Sequence, residues 1–528
     1  MNFDLYMTAL GPEIVLAVGA CAAVLLGVSG SASARALLAP FSLVVLAAAL
    51  WWSASAGVPA DGSPQPPGIR VTSLTYYVRT IALVIGGLIL LVNWHLPTAD
   101  ERGEFFGMVL FSILGVTLCG SANDLVLLFF ALELVSVPTY ILVALSREDA
   151  RASEAAVKYF FLGAMSAALM VYGFSFLYGC AGSTTLYAAK GPSVWSYFAT
   201  AGPPEVYAVV GLLLAFAGLA FKIAAVPFHV YAPDVYEGAA SPVTGLLGFL
   251  PKLAGFVALI KVFDAANWHL PTAMYWLVWM VAAATMTVGN VLALLQHNVK
   301  RMLAYSSIAH TGYMLIGLLV GPLAGAGPMR DGVAALLFYI AVYGVMNLGA
   351  FAVLSAFAVK GEPLEDIGDL SGLARREGPA AFALAVCVFS LMGFPPTAGF
   401  LGKVYVFSSA FSLGDEHPFG GPLVVLAIIG VVNSAIAAAY YLRIASACYF
   451  GEPADDRPSR LGGAPMGWAV ALCSMAMLVL FVHPTTIADR AVHATREMAQ
   501  RSPITDDSLA LDQTPGFPME RPAESLSR

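Results

Sequence analysis

Long apolar stretches alternate with short polar breaks from the first residues to about position 483. A helix that crosses a bilayer needs about 20 mostly apolar residues. On that measure fourteen spans are expected, roughly at 12–29, 36–53, 74–92, 104–120, 122–145, 154–180, 206–230, 240–262, 271–294, 301–320, 332–358, 379–411, 421–446 and 466–483. The longest runs predict tilt, kinks or extension beyond the bilayer. Few stretches alternate with a period of two, which argues against a β-barrel. The expected fold is therefore an all-α polytopic membrane protein of about 14 transmembrane helices. The polar, proline-containing stretch after Val482 reads as a mobile tail. Met1 to Leu10 holds Asp4 and no Lys or Arg, so the first span is expected to stay as a helix and not to be cleaved.

Composition sharpens this picture. Of 528 residues, 59% are hydrophobic and 11% charged, against roughly 25% charged in a typical soluble domain. That excludes a soluble enzyme, a disordered chain and a nucleic-acid binder with a basic face. The net charge of −7 gives no basis for binding a polyanion. Cys21, Cys119, Cys180, Cys387, Cys448 and Cys473 show no CxxC spacing and read as small buried hydrophobes. The histidines form no HxxxH or HxH pattern, and no glycine-rich nucleotide motif is present. No metal or cofactor is therefore expected on this chain.

Orientation follows from the lysine and arginine bias of the connections. With the N-terminus outside, the inner connections hold Arg35, Arg102, Arg147, Arg151, Lys300, Arg301, Lys360, Arg375, Arg376, Arg443, Arg457 and Arg460. The outer ones hold Arg70, Arg79, Lys190, Lys261 and Arg330. Twelve against five favours both termini on the periplasmic face of a bacterial inner membrane, although five tail arginines narrow the margin.

Four lysines, Lys158, Lys222, Lys252 and Lys403, fall inside apolar runs. Each costs roughly 2.5–3.5 kcal/mol at a helix centre, and four cost on the order of 10 kcal/mol, comparable to the stability of a whole domain. Packing gives no reason for that expense, since Leu or Met would fill the space. Snorkelling to the interface is the alternative, best suited to Lys158 near the start of its run. Glu133 lies in mid-span, where a buried ammonium would make a carboxylate tolerable. Glu133 and Lys222 would then titrate as one coupled pair.

Two spans look broken. Pro227 and Pro233 follow Lys222, and Gly393, Pro395, Pro396 and Gly399 precede Lys403. Proline removes a donor and frees a carbonyl one turn back. Broken helices beside ionisable groups are a common construction for ion sites, with an ordinary proline kink as the alternative. Lys222 and Lys403 are 181 residues apart, and other spans share nearly that offset. This predicts two inverted five-helix repeats. The expected division is 1–103 for three N-terminal helices, 104–265 and 266–446 for the repeats, 447–484 for a last helix and 485–528 for the tail. His229 after the first break and His310 in the tenth span could complete a path, or serve as hydrogen-bonded helix contacts.

Three segments carry a resemblance: ProPheHisValTyrAlaProAspValTyrGluGlyAlaAlaSerProValThr (227–244), ArgMetLeuAlaTyrSerSerIleAlaHis (301–310) and GlyPheProProThrAlaGlyPheLeuGlyLys (393–403). They resemble the antiporter-like membrane subunits of respiratory complex I (NADH-quinone oxidoreductase), over all fourteen spans. The AspValTyrGluGlyAla wording and Lys403 are most similar to subunit N in that family, with Tyr231 and Ala240 as departures. The resemblance implies a proton relay through Glu133, Lys158, Lys222, His229, Lys252, His310 and Lys403. Glu133 would pair with Lys222, Lys158 would tune that pair, Lys252 would be the central relay and Lys403 the exit. It implies partners that are other complex I subunits, with NAD(H), FMN, iron–sulfur clusters and quinone held there. The rival readings are a subunit of a multisubunit cation/proton antiporter and a purely structural membrane-arm subunit.

Overall fold

The structure is a computed structural model. It describes residues 3–501 apart from 30, 60–62, 148, 201–203, 269, 324–326, 360–361, 415–416, 453–458 and 462. Lys360, Arg457 and the last part of the expected tail, 502–528, lie outside the described residues.

Among the described residues, twelve helices are long and apolar enough to cross a membrane. Two shorter apolar helices, Val206–Lys222 and Gly378–Met392, supply the first halves of the interrupted spans. Ala232–Gly238 and Ala398–Ser409 continue them past the breaks. Together they give fourteen spans, in the order expected. The eighth span bends at Gly248 and Phe249, between Ser241–Leu247 and Leu250–Ala265. It forms the centre of the bundle with the tenth, Val299–Val320, and the eleventh, Gly332–Ser355. The sixth span, Ala150–Ala181, and the fourteenth, Ala464–Val482, lie at the periphery and expose most of their apolar surface.

Helix boundaries have local causes. Asp124, Asp149, Asn298 and Asp331 each accept a backbone N–H in the first turn of the helix that follows, which satisfies donors that have no partner inside the helix. Close helix contacts need glycine. A Cβ on Gly115, in the fourth span Arg102–Ser121, would stand 2.7 Å from Val135 N and 2.8 Å from Ala131 O of the fifth, Leu125–Leu145. A Cβ on Gly289, in the ninth span Thr272–Leu294, would stand 2.7 Å from Ala309 N and 2.9 Å from Tyr305 O of the tenth.

Three expectations change. Arg79 and Lys261 are not in outer connections. Arg79 lies within the third span, Ser73–Val92, and Lys261 within the eighth. Arg79 is fully buried and forks onto Glu13 of the first span at 2.8 and 2.7 Å. An arginine offset by a buried carboxylate is tolerable at depth, and the loop tally had no term for it. The start of the tail is also a docked helix and not an irregular stretch. Thr485–Arg501 is a helix whose Ala488, Ala491, Ala494, Thr495 and Met498 are buried against the bundle. Its apolar stripe is mostly alanine, too weakly hydrophobic to stand out from a polar stretch. Lastly, the all-α fold carries a minor addition. Phe357–Val359 pairs antiparallel with Glu362–Pro363 and with Ser459–Arg460, tying two connections together at one end of the bundle.

Candidate functional site

The first break begins where the helix ends at Lys222. Pro227 has no N–H, so the carbonyl of Ile223 is released. Thr311 of the tenth span donates its hydroxyl to that carbonyl at 2.7 Å. Tyr231 donates to Phe221 O at 2.9 Å, and Val226 N donates to Thr285 Oγ1 at 3.0 Å. The opened backbone is thus satisfied by Thr311 and Thr285 of neighbouring spans and by Tyr231 at the far side of the break, as irregular structure at membrane depth requires.

Lys222 points its ammonium at Glu133 Oε1, 2.9 Å away, and at Ser136 Oγ, 2.6 Å away. Both partners sit on the fifth span. The lysine side chain is 4% exposed and the glutamate 21%, so the pair is closed at its lysine end and reaches the flank of the chain at its glutamate end. A cavity of about 10 Å³, lined by Lys222, Tyr159, Tyr231, Tyr236 and Lys252 among others, joins the two lysines. It has room for roughly one water. Lys252 donates to Thr311 Oγ1 at 2.9 Å and to Ser307 O, and its ammonium lies 5.5 Å from the centre of the Tyr343 ring. Thr311 therefore joins the central lysine to the broken backbone of the seventh span.

His310 lies one residue before Thr311. Its ring is fully buried, with Nδ1 2.6 Å from Tyr339 OH and Nε2 3.0 Å from Tyr441 OH. Tyr441 in turn meets Ser306. Tyr339 packs against Gly402, next to Lys403. At the second break, Gly393 adopts a left-handed conformation at φ 83° and closes the half-helix. The carbonyl of Met392, released there, accepts from Lys403 Nζ at 2.7 Å. Lys403 also donates to Ser434 Oγ at 2.7 Å and lies 5.0 Å from the centre of the Tyr313 ring. Among the described residues no carboxylate is hydrogen-bonded to Lys403. The two breaks are thus not equivalent in detail: Lys222 precedes its break, whereas Lys403 follows its own.

The structure brings together Glu133, Lys222, Lys252 and His310, with Lys403 beyond them. It does not bring Lys158 into that row. Lys158 is 44% exposed and pairs with Glu154 at 2.8 Å and Asp234 at 2.9 Å. Asp234 also meets Arg301, which reaches Glu237 at 2.5 Å. His229 lies within the first break, outside the lining of the cavity between the lysines. The hydroxyls of Ser136, Thr311, Tyr339, Tyr441 and Ser434 were not singled out from the sequence. Their signal is a polar side chain within an apolar run, one per turn or two, each small enough to read as a helix contact.

At one end of the bundle, Glu365 accepts from Arg147 at 2.6 Å and from Lys300 at 2.8 Å. Lys300 also donates to Ala239 O, just past the seventh span. Burial alone would raise the Glu365 carboxyl, but Lys300 and Arg147 reverse this and hold it below the usual carboxylate range.

Two interrupted spans beside buried, hydrogen-bonded lysines define a class: membrane bundles that hold ionisable groups at broken helices. Residues 122–436 match the family described as NADH:quinone oxidoreductase/Mrp antiporter, transmembrane. The NADH-quinone oxidoreductase subunit N of Trichlorobacter lovleyi is 36% identical over 92% of this chain and 96% of its own. Subunit N 1 of Acidiphilium cryptum is 39% identical over 92% and 97%. Among solved structures, a chain of respiratory complex I from Thermus thermophilus with bound aureothin aligns with a TM-score of 0.73 at 31% identity, covering 90% of this chain and 98% of that one. A chain of the Mrp complex from Dietzia sp. aligns with a TM-score of 0.76 at 19% identity over 94% and 98%, a likeness of fold alone. The chain belongs to the NADH:quinone oxidoreductase/Mrp antiporter family of membrane subunits.

Proposed function

We propose that this chain is the proton-translocating membrane-arm subunit of a NADH–quinone oxidoreductase, with Glu133, Lys222, Lys252, His310 and Lys403 as its relay. The supporting observation is the row itself. A Glu–Lys pair, a water-sized cavity, a second lysine on a shared hydroxyl and a histidine between two tyrosines follow one another. Each step in the row carries a group that can give or take a proton. Lys158 and His229 belong to the flanks, Lys158 acting through Asp234 on the half-helix beyond the first break. The chain performs no redox chemistry on this reading; flavin, iron–sulfur clusters and quinone belong to its partner subunits.

Two inverted repeats fit the packing. The Gly115 contact on Ala131 and Val135 recurs as Gly289 on Tyr305 and Ala309. The connection between the fourth and fifth spans lies at the end that carries the C-terminal helix, where Lys261 donates to Ala122 O. The connection between the ninth and tenth lies at the other end, where Val299 N donates to Glu365 O. The same offset places Ser307 where the first repeat has Glu133. Arg79 and Lys261 on one side, and Arg102, Arg151, Lys300, Arg301 and Arg443 on the other, lie inside spanning helices. The connections keep Arg35, Arg147, Lys360, Arg375, Arg376, Arg457 and Arg460 on the inner side against Arg70, Lys190 and Arg330 on the outer, a bias that supports both termini on the periplasmic side of the inner membrane, with the tail arginines narrowing it.

The test is a native gel of mild-detergent membranes stained for NADH dehydrogenase activity and probed for this chain, with proton translocation then measured for Lys222→Met. Co-migration with a large active band and lost pumping in the variant are expected. A smaller band without NADH activity, or wild-type pumping by the variant, would overturn the proposal.

A further inference from the structure

Thr311 stands between Lys252 and the first break and is hydrogen-bonded on both sides. Its hydroxyl accepts from Lys252 Nζ at 2.9 Å and donates to Ile223 O at 2.7 Å. Ile223 follows Lys222 directly, where the first half of the seventh span stops. Pro227 has no N–H to offer the Ile223 carbonyl, and the Val226 N–H is turned to Thr285. The eighth span packs directly on this point. A Cβ on Gly255, one turn beyond Lys252, would stand 2.7 Å from Ile223 Cγ2 and 3.1 Å from Lys222 Cβ.

Helix packing does not call for this arrangement. A threonine inside a helix ordinarily returns its hydroxyl to the carbonyl one turn back, and here that carbonyl, Ser307 O, lies at 3.3 Å. Ser307 O accepts from Lys252 instead, and the Thr311 hydroxyl makes its shorter bond across to the seventh span. A hydroxyl has a single hydrogen to donate and lone pairs to accept with. An ammonium has no lone pair. While Lys252 is protonated it can only donate to Thr311, and the hydroxyl hydrogen is committed to Ile223 O. A neutral amine brings a lone pair, and the same hydrogen then has two acceptors, the amine nitrogen and the carbonyl. The other ionisable groups that face Lys252 are Lys222, Tyr159, Tyr231 and Tyr236 across the small cavity and the ring of Tyr343. His310 is turned away to Tyr339 and Tyr441. Among the described residues no carboxylate is hydrogen-bonded to Lys252, and of its two hydrogen-bond partners only the Thr311 hydroxyl can turn.

We propose that Thr311 is a positioning residue whose hydroxyl reports the charge of Lys252 to the broken end of the seventh span. The inference rests on the relay role proposed above. With Lys252 protonated, the bond from Thr311 to Ile223 O holds the end of the half-helix, and with it the placement of Lys222 against Glu133. When Lys252 gives up its proton, the hydroxyl turns to the amine, Ile223 O loses its donor, and the end that carries Lys222 is released. The O–H bond of Thr311 stays intact and only its acceptor changes; protons between the two lysines pass by the water-sized cavity. The coupling is reciprocal. A movement of the seventh span that draws Ile223 O away from Thr311 frees the hydroxyl for the amine, and so favours loss of the Lys252 proton.

The test uses the assembled complex in liposomes, reading protons moved per NADH oxidised and the pH profile of coupled turnover, with a native gel as the assembly control. Thr311→Val keeps the shape and loses the hydroxyl. It should enter the active band, lower the ratio and move the alkaline limb of the profile to lower pH by about one unit, since an ammonium that loses an acceptor gives up its proton more readily. Thr311→Ser keeps the hydroxyl and should restore both readings. Thr311→Cys, a weak donor of similar size, should fall between them, and it decides the matter if Thr311→Val fails to assemble. A wild-type ratio and profile in Thr311→Val, or in Thr311→Cys where it has to decide, would overturn the proposal. Equal losses in Thr311→Val and Thr311→Ser would overturn it too, because packing and not the hydroxyl would then be at work. Both results leave the relay standing, whereas a wild-type ratio in Lys222→Met would overturn the relay itself.

Discussion

Replacing Lys403 with methionine should separate assembly from transport, and the structure sets the magnitude. The ammonium donates to Met392 O and Ser434 Oγ, both at 2.7 Å. A buried carbonyl left without a donor costs about 1–3 kcal/mol. Here Ser434 Oγ is already 3.4 Å from Met392 O and can donate to it alone. The loss therefore falls near the low end, about 1 kcal/mol. Against it stands the removal of an ammonium whose place at depth costs roughly 2.5–3.5 kcal/mol. The net change in stability is close to zero or favourable. Transport should respond differently, because no other ionisable side chain is hydrogen-bonded at this break among the described residues. Lys403→Met should appear in the active native band at wild-type abundance, with depressed proton translocation and coupled quinone reduction in liposomes. Lys403→Arg should do the same, since arginine holds its proton. Loss of the band would refute the energetic argument. A wild-type proton yield in either variant would refute the relay role.

Glu13→Ala should strip a partner from the buried Arg79 and cost about 3–5 kcal/mol, read as a lower unfolding temperature of the detergent-purified complex. Glu13→Leu with Arg79→Met should recover most of it, and equal losses in both would refute the pairing. Asp331 lies outside the spans, accepts from Thr495 at 2.6 Å and is pushed up to about 6, chiefly by burial. A carboxyl raised in the folded state contributes stability that is present below its ordinary value of 3.8 and lost as pH rises through about 6. Amide protection factors in Thr485–Arg501, corrected for the base-catalysed rise of intrinsic exchange with pH, should thus be higher at pH 5 than at pH 7.5, and Asp331→Asn should remove that difference. Gly393→Ala places a Cβ 2.7 Å from Lys403 Cδ at a φ of 83°, adding roughly 1–2 kcal/mol of backbone strain. It should depress pumping more than abundance; unchanged pumping would show that the lysine tolerates displacement.

The spans were legible because a bilayer demands continuous apolar helix, and both breaks because proline and glycine punctuate it. Lys222 could be matched with Glu133 because a charge at depth needs an opposite one. Arg79 and Glu13 escaped because each lies close to an end of its apolar run, where a loop assignment costs nothing. Thr311 was invisible for another reason. It becomes informative only when Ile223 O and Lys252 are known to lie on either side of it, and that is a relation between spans 88 and 59 residues apart. Lys158 lay in an apolar run, but the acids that hold it at the flank, Glu154 and Asp234, sit on and beside that run's start. Sequence periodicity reports the faces of one helix; it does not report which faces meet.

Glu133 shares its side of the fifth span with Val126, Phe130, Val137 and Ile141, all well exposed. In an unassembled chain that stripe faces lipid, and it is apolar except for one carboxylate. At roughly 2.5–3.5 kcal/mol for an acid at this depth, even partial exposure makes the solitary subunit a poor resident of the bilayer. A neighbour that covers the stripe relieves the strain on both. The carboxylate that anchors Lys222 thus also marks the face on which the solitary chain is least suited to lipid.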